Sequence, residues 1–129
     1  MTLLHQAPRR ARRHLVCACF PTEAHELGIL GAALKFRHAG WRVTLLGART
    51  PIEHLLRAVR GAEPALVALS TMTETAEGLA DTLSELMATL PPQSNVVVGG
   101  AAADRFRTLV TAQGARVVES PEEWEALLA

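Results

Sequence analysis

The segment HLVCACFPTEAHELGILGAALKFRHAG, residues 14 to 40, decides the fold, because its residue pattern changes partway along. Its first seven residues, HLVCACF, form an almost unbroken apolar run, which is typical of a strand covered on both faces. Residues 26 to 40 carry apolar side chains at helical spacing and end on Gly40, a residue that commonly follows a helix. The segment is therefore predicted to be a strand, a short loop and a helix.

The same alternation continues to the end of the chain. Further apolar runs predict strands at 41–47, 65–70, 95–100 and 116–120, and helical patterns follow them at 50–62, 73–90, 102–115 and 121–128. Five strand–helix units joined by right-handed crossovers predict an α/β fold. The specific expectation is a flavodoxin-like, Rossmann-like doubly wound parallel sheet of five strands in the order 2-1-3-4-5.

Composition restricts the classes of function. A chain of 129 residues is expected to hold one domain, and 13 basic residues balance 13 acidic ones, so no overall field favours nucleic acid or membrane. No apolar run approaches the roughly 18 residues of a membrane span, and residues 1 to 13 lack the apolar core of a signal peptide. We therefore expect a cytoplasmic protein with reduced, buried thiols at Cys17 and Cys19.

The first 13 residues differ from the rest of the chain. They carry four arginines, at positions 9, 10, 12 and 13, and show little periodicity. A flexible basic lead-in is predicted, followed by the domain over residues 14 to 129. A solvated tail is the favoured interpretation of the lead-in, and a contact with nucleic acid or a partner is the alternative.

Three short motifs follow predicted strands 1, 3 and 4. The first is E-x-H-x-x-G, residues 23 to 28; the second is Ser-Thr-Met, residues 70 to 72; the third is Gly-Gly, residues 99 and 100. Sheets of this order bind ligands outside the carboxyl ends of their strands, in the crevice between strands 1 and 3. The motifs are thus expected to meet at one ligand site.

Among these residues, His25 has the side chain best suited to bind a metal. Its ring can present one nitrogen to a metal while the other donates to Glu23. A zinc site is poorly supported, because no second His or Cys stands at ligand spacing. A lone histidine suits a metal already held by a macrocycle. Gly28, with Gly99 and Gly100, would leave room for a planar group.

With these motifs the chain resembles the cobalamin (vitamin B12)-binding domain family, whose fingerprint is D-x-H-x-x-G, then S-x-L, then G-G at similar spacings. The resemblance covers residues 14 to 128. It implies that His25 coordinates cobalt from below in place of the cofactor's dimethylbenzimidazole, whose nucleotide tail would enter the crevice past Gly28 and Ser70. The cofactor-binding residues so implied are Thr22, Glu23, His25, Glu26, Leu27, Gly28, Ser70, Met72, Gly99 and Gly100.

Two positions depart from that fingerprint: Glu23 replaces Asp, and Met72 replaces Leu. Met for Leu conserves volume. The E-x-H-x-x-G form is similar to that of the C-terminal domain of MerR-type light-sensing cobalamin-dependent repressors. By that resemblance we expect a sensory or regulatory module for transcription that binds adenosylcobalamin or methylcobalamin and acts through a protein partner. The resemblance also suggests a photoreceptor, in which light acts through the cofactor.

Two alternatives stay open. The chain could be the corrinoid-carrying subunit of a cobalamin-dependent mutase or methyltransferase, or a haem-binding sensor of the same fold that uses the same histidine. An enzymatic role of its own is not favoured, because no substrate domain is evident, and direct DNA binding or membrane contact is not expected.

Several candidate residues also have simpler interpretations. His25 could be a solvated loop residue, Ser70 could cap the next helix, and the glycine pair could form only a tight turn. Trp41 and Trp124 are expected to pack in the core rather than cover a cofactor. The other histidines, at positions 5, 14, 38 and 54, are expected in solvent.

Overall fold

The computed structural model describes residues 13–92 and 94–128. Of the predicted lead-in, residues 1 to 12 lie outside the described part of the chain. The strands are β1 (His14–Cys19), β2 (Arg42–Gly47), β3 (Leu66–Ser70), β4 (Val96–Gly99) and β5 (Arg116–Val118). The helices are α1 (Leu27–His38), α2 (Ile52–Ala62), α3 (Ala76–Thr89), α4 (Ala101–Arg105), α5 (Arg107–Ala112) and α6 (Pro121–Leu128).

The strands form one parallel sheet in the order β2-β1-β3-β4-β5, which confirms the predicted topology. Cys19 is in register with Ser70, and Ser70 is in register with Gly99. The carboxyl ends of β1, β3 and β4 therefore lie side by side. This register brings the three sequence motifs to one edge of the sheet.

Helices cover both faces of the sheet, and each face has its own apolar core. On one face, α2 to α5 pack on β-strand residues such as Val16, Val67 and Val98. On the other, α1 and α6 pack on Leu15, Cys17 and Val97 among others. Strands β1, β3 and β4 are buried almost throughout, whereas the edge strand β2 is half-exposed. Burial on both faces explains the unbroken apolar runs in the sequence.

The fourth predicted helix is interrupted in the structure. Residues 102 to 115 were expected to form one helix, but α4 ends at Arg105 and α5 begins at Arg107. Between them Phe106 has φ −111° and ψ 36°, outside the helical region, and its side chain packs against the core beside α4 and α5. Core packing of one aromatic ring thus coincides with the break.

The two cysteines and the two tryptophans belong to or pack against the core on the α1 face of the sheet, as expected. Cys17 and Cys19 are free and buried as predicted, and burial raises the pKa of Cys17 to about 12. Trp41 and Trp124 pack edge-on against Phe36, with ring centroids 4.8 and 6.2 Å apart.

Of the histidines expected in solvent, positions 38 and 54 are exposed, while His5 lies outside the described residues. The expectation was wrong for His14, which is half-buried because its Nε2 bonds Thr44 Oγ1 across to β2 at 2.7 Å. None of the helices in the described part of the chain is long and apolar enough to cross a membrane.

Candidate functional site

The loop between β1 and α1 holds Glu23 and His25 in opposite environments. Glu23 is buried, with 1% of its surface exposed, whereas the His25 side chain is 71% exposed. Oε2 of Glu23 accepts the backbone N–H of His25 at 3.1 Å and lies 2.6 Å from ring Nδ1. The carboxylate therefore holds both the backbone and the ring of the histidine.

The other carboxylate oxygen of Glu23 is bound by the loop after β3. Oε1 accepts the backbone N–H groups of Met72 and Thr73, the latter at 3.2 Å, and lies 3.5 Å from the Thr71 hydroxyl. Burial by itself would raise the pKa of Glu23. Hydrogen bonds from Met72 N–H, from the ring and backbone of His25, and from Thr73 N–H outweigh it and lower that pKa to about 2. Glu23 is thus a fixed anion at neutral pH.

The ionised state of Glu23 determines the tautomer of His25. A carboxylate can only accept, so the ring nitrogen that faces it, Nδ1, carries the proton. In the neutral ring the lone pair then lies on Nε2, on a solvent-exposed side chain, which is the tautomer that a metal-binding imidazole needs. No cluster of three or more His, Cys, Asp or Glu side chains that could hold a metal occurs within residues 13–92 and 94–128. His25 is therefore suited to supply a single ligand.

A cleft of about 340 Å³ opens beside His25 at the carboxyl end of the sheet. This volume lies within the range of roughly 300 to 1,000 Å³ that is usual for small-molecule sites. Seven of the predicted residues line the cleft: His25, Leu27, Gly28, Ser70, Met72, Gly99 and Gly100. The structure thus brings together residues from the three sequence motifs.

Three predicted site residues do not line this cleft. Glu23 is buried and contacts the ring Nδ1 of His25 instead. Thr22 donates through its hydroxyl to Glu74 Oε2 at 2.8 Å, and Glu26 Oε2 accepts the backbone N–H of Ala48 at 2.9 Å. Thr22 and Glu26 therefore connect the histidine loop to neighbouring loops.

Sequence reasoning missed five residues that line the cleft: Ile29, Leu69, Val118, Glu119 and Trp124. Val118 and Glu119 come from the end of β5, which pairs with β4 beside Gly99. The predicted strand order contained a signal for them, because it placed β5 next to the glycine motif. Trp124 both packs on Phe36 and faces the cleft, so the two roles considered for it do not exclude each other.

The glycines of the site differ in whether the protein would tolerate a side chain at their position. At Gly28, an added Cβ would have no atom within 4 Å, so nothing in the protein itself demands a glycine there. Gly100 has φ +107°, and an added Cβ would collide with the carbonyl of Thr71. Gly100 is thus required by the fold, whereas Gly28 leaves open space at the mouth of the cleft.

Ser70 is buried at the end of β3, and its carbonyl accepts the backbone N–H of Phe20 at 3.0 Å. The capping role considered for it belongs to Thr75, whose side chain accepts the N–H of Gly78 at the start of α3. Ser70 therefore stays a candidate for the cleft.

Known proteins are similar to this chain in sequence. The family model described as "B12 binding domain" matches residues 13–128. The HTH-type transcriptional repressor CarH of Myxococcus xanthus is 48% identical over 128 residues, which are 98% of this chain and 43% of that protein. CarA of the same organism is 35% identical over 122 residues, 94% of this chain and 42% of that one. The chain spans less than half the length of these relatives.

Solved structures show the same fold. A cobalamin-binding protein from Desulfitobacterium hafniense DCB-2 superimposes with a TM-score of 0.75 at 21% identity, covering 90% of this chain and 56% of that one. A LuxR-family two-component response regulator from Aurantimonas sp. SI85-9A1 gives 0.64 at 16% identity, covering 91% and 85%. Because the second is described as a response regulator, the shared architecture does not by itself specify the ligand.

Proposed function

This chain belongs to the B12-binding domain family, and we propose that it binds cobalamin in the base-off form with His25 as the lower ligand to cobalt. The observation that carries the proposal is the pairing of Nδ1 with a buried, ionised Glu23, which leaves Nε2 as a lone-pair donor at the edge of a cleft. Such a carboxylate partner fixes the orientation of a ligating ring and raises its basicity.

The residues of the cleft fit this cofactor. Cobalamin with a displaced nucleotide tail needs a protein side chain that coordinates cobalt from below, and a slot for the tail. It also needs little side-chain bulk where these two parts of the site meet. His25 supplies the first and the cleft supplies the second. Gly28, where a Cβ would meet nothing, supplies the third. Ser70, Gly99 and Gly100 would line the slot, and Leu27 and Met72, exposed at 85% and 44%, offer apolar surface at its mouth.

Within this proposal the chain has three tasks. Glu23 accepts the Nδ1–H of His25 and so orients the ring, with Nδ1 toward the buried carboxylate and Nε2 left to bind a ligand. The backbone N–H groups of Met72 and Thr73 keep Glu23 ionised although it is buried. The apolar side chains Leu69, Val118 and Trp124 provide a surface from which a bound group would displace water. Adenosylcobalamin or methylcobalamin, when bound, would supply a cobalt–carbon bond that light can break.

A regulatory role is the second part of the proposal. The 48% identity to a transcriptional repressor extends over nearly the whole chain and favours a sensory module over a catalytic one. This cytoplasmic module would act through a protein partner, with light as the signal, because a change at the cofactor can bias a two-state interface.

Absorption spectroscopy of the purified chain tests cofactor identity. We expect adenosylcobalamin or methylcobalamin to bind with a His-ligated spectrum and haem to produce no ligated Soret band. His25→Ala should abolish the His-ligated spectrum. His38→Ala is the matched control, since His38 is an exposed histidine on α1, and it should change nothing. A ligated Soret band with haem and no corrinoid binding would contradict the proposal.

Illumination tests the regulatory part. Sedimentation velocity of the loaded chain, alone and with candidate partner proteins, should differ between dark and illuminated samples. Identical assembly under both conditions, together with methyl exchange with a donor, would instead favour a corrinoid subunit of an enzyme.

A further inference from the structure

Glu26 occupies the N-cap position of α1 but does not cap the helix. Its side chain makes no hydrogen bond to the first turn of α1. Instead Oε2 accepts the backbone N–H of Ala48, at the carboxyl end of β2, at 2.9 Å. Glu26 also lies outside the lining of the cleft, so the one side-chain contact described for its carboxylate is the bond to the turn after β2.

The segment that receives this contact, residues 47 to 50, has an unusual backbone. Gly47 has φ +89° and Arg49 has φ +46°, a left-handed conformation that a side chain with a Cβ disfavours. Such conformations persist when surrounding contacts hold them. Two contacts do so here. Thr50 Oγ1 donates to the carbonyl of Gly47 at 2.9 Å, and Arg49 N–H donates to the carbonyl of Glu23 at 2.7 Å.

Successive N–H groups of this turn therefore bind both sides of His25. The N–H of Arg49 holds the residue two before the histidine, and the N–H of Ala48 holds the carboxylate one after it. On the opposite side, residues 71 to 73 hold the Glu23 side chain. The histidine loop is thus fixed between the end of β2 and the end of β3.

We propose that Glu26 is a positioning residue, which anchors the His25 loop to the turn at 47–50 and so keeps the imidazole in place to bind a ligand. The inference rests on the proposed function, because the ligand is cobalt. By this inference, the turn after β2 holds the loop that carries His25, although neither β2 nor that turn contributes a residue to the lining of the cleft.

The test uses Glu26→Ala and Glu26→Gln in the full chain. Alanine removes the acceptor for Ala48 N–H, whereas glutamine keeps a carbonyl oxygen at the same reach. Glu53→Ala is the matched control, since Glu53 is an exposed carboxylate in the first turn of the next helix, α2. Four quantities are measured. With cobalamin they are the affinity and the His-ligated fraction of the bound cofactor; in the cofactor-free protein they are the amide exchange of Ala48 and the ¹⁵N shifts of the His25 ring.

We expect Glu26→Ala to lower both the affinity for cobalamin and the His-ligated fraction about three- to tenfold, the factor that corresponds to the loss of one hydrogen bond. Ala48 exchange should accelerate and the tautomer preference of His25 should weaken in the same variant. Glu26→Gln should restore the affinity and the His-ligated fraction to within about twofold of the parent values. Glu53→Ala should match the parent. Parental cobalamin binding in Glu26→Ala, despite faster exchange at Ala48, would overturn the inference.

The two proposals fail in different ways. If the parent chain takes up no cobalamin, the proposed function fails, and the cofactor-free measurements still decide the role of Glu26. In that case unchanged His25 ring shifts in Glu26→Ala would overturn the positioning role, and altered shifts with rescue by glutamine would support it.

Discussion

Glu23 and His25 act as one unit, in which a single oxygen of a buried carboxylate accepts both the backbone N–H and the ring Nδ1–H of the exposed histidine, at 3.1 and 2.6 Å. The acid is fixed by the loop after β3, and the histidine faces the cleft. The contacts that fold this edge of the sheet therefore also determine how Nε2 of His25 is presented. Single substitutions can perturb the acid, the cleft and the turn separately.

Acid should destabilise the chain through Glu23. Its pKa falls from an ordinary value of 4.5 to about 2 in the folded protein, so the folded state favours the ionised form. That contribution, about 3 kcal/mol, is present above pH 4.5 and is lost as the pH falls toward 2. Urea unfolding between pH 2 and pH 7 should show this loss.

Glu23→Gln provides the comparison for that titration. A glutamine amide has one acceptor oxygen for the donors on both sides, so the variant should be less stable at pH 7 by about 1 to 3 kcal/mol. Its stability should also vary less between pH 4.5 and pH 2 than that of the parent. An equally steep loss in both proteins would show that other groups cause the acid sensitivity.

Gly28→Ala should separate stability from binding. Because an added Cβ meets nothing, alanine should leave the cofactor-free protein as stable or more stable by up to about 1 kcal/mol, from its better helix propensity. Cobalamin affinity should fall at least about tenfold, because a methyl group would occupy the mouth of the cleft. Calorimetric titration measures the affinity.

Gly31→Ala is the control for Gly28. Gly31 lies in the same helix, an added Cβ there also meets no atom within 4 Å, and the residue does not line the cleft. The substitution should raise stability similarly and leave affinity unchanged. If both variants lose affinity alike, the loss belongs to α1 in general and Gly28 has no special role.

Gly100→Ala should harm the fold itself. Its φ of +107° disfavours any side chain, and the new Cβ would collide with the Thr71 carbonyl. We expect a loss of about 3 kcal/mol or more in the free energy of unfolding. Gly61→Ala, in the last turn of α2 with open space around it, should instead be neutral or mildly stabilising. Equal stability of the two variants would contradict the requirement for glycine at position 100.

The strand order and the meeting of the three motifs could be predicted from the sequence, because apolar runs and motif spacing depend on local pattern. The contacts that hold Glu23 could not. They come from backbone N–H groups of Met72 and Thr73, which every residue but proline carries, so no residue type marks them. The partner of Glu26 could not be predicted for a similar reason, since it is the backbone N–H of Ala48, in a turn whose left-handed Arg49 no propensity predicts.

The axial ligand to cobalt is the central claim, and electron paramagnetic resonance of the cob(II)alamin-loaded chain measures it most directly. The protein is labelled with ¹⁵N only in histidine, while the cofactor keeps ¹⁴N. Coordination by His25 predicts that the superhyperfine pattern changes from triplets to doublets on labelling, and that His25→Ala abolishes the doublets. Triplets that persist in the labelled protein would show that the cofactor's own base remains bound, and would contradict this account.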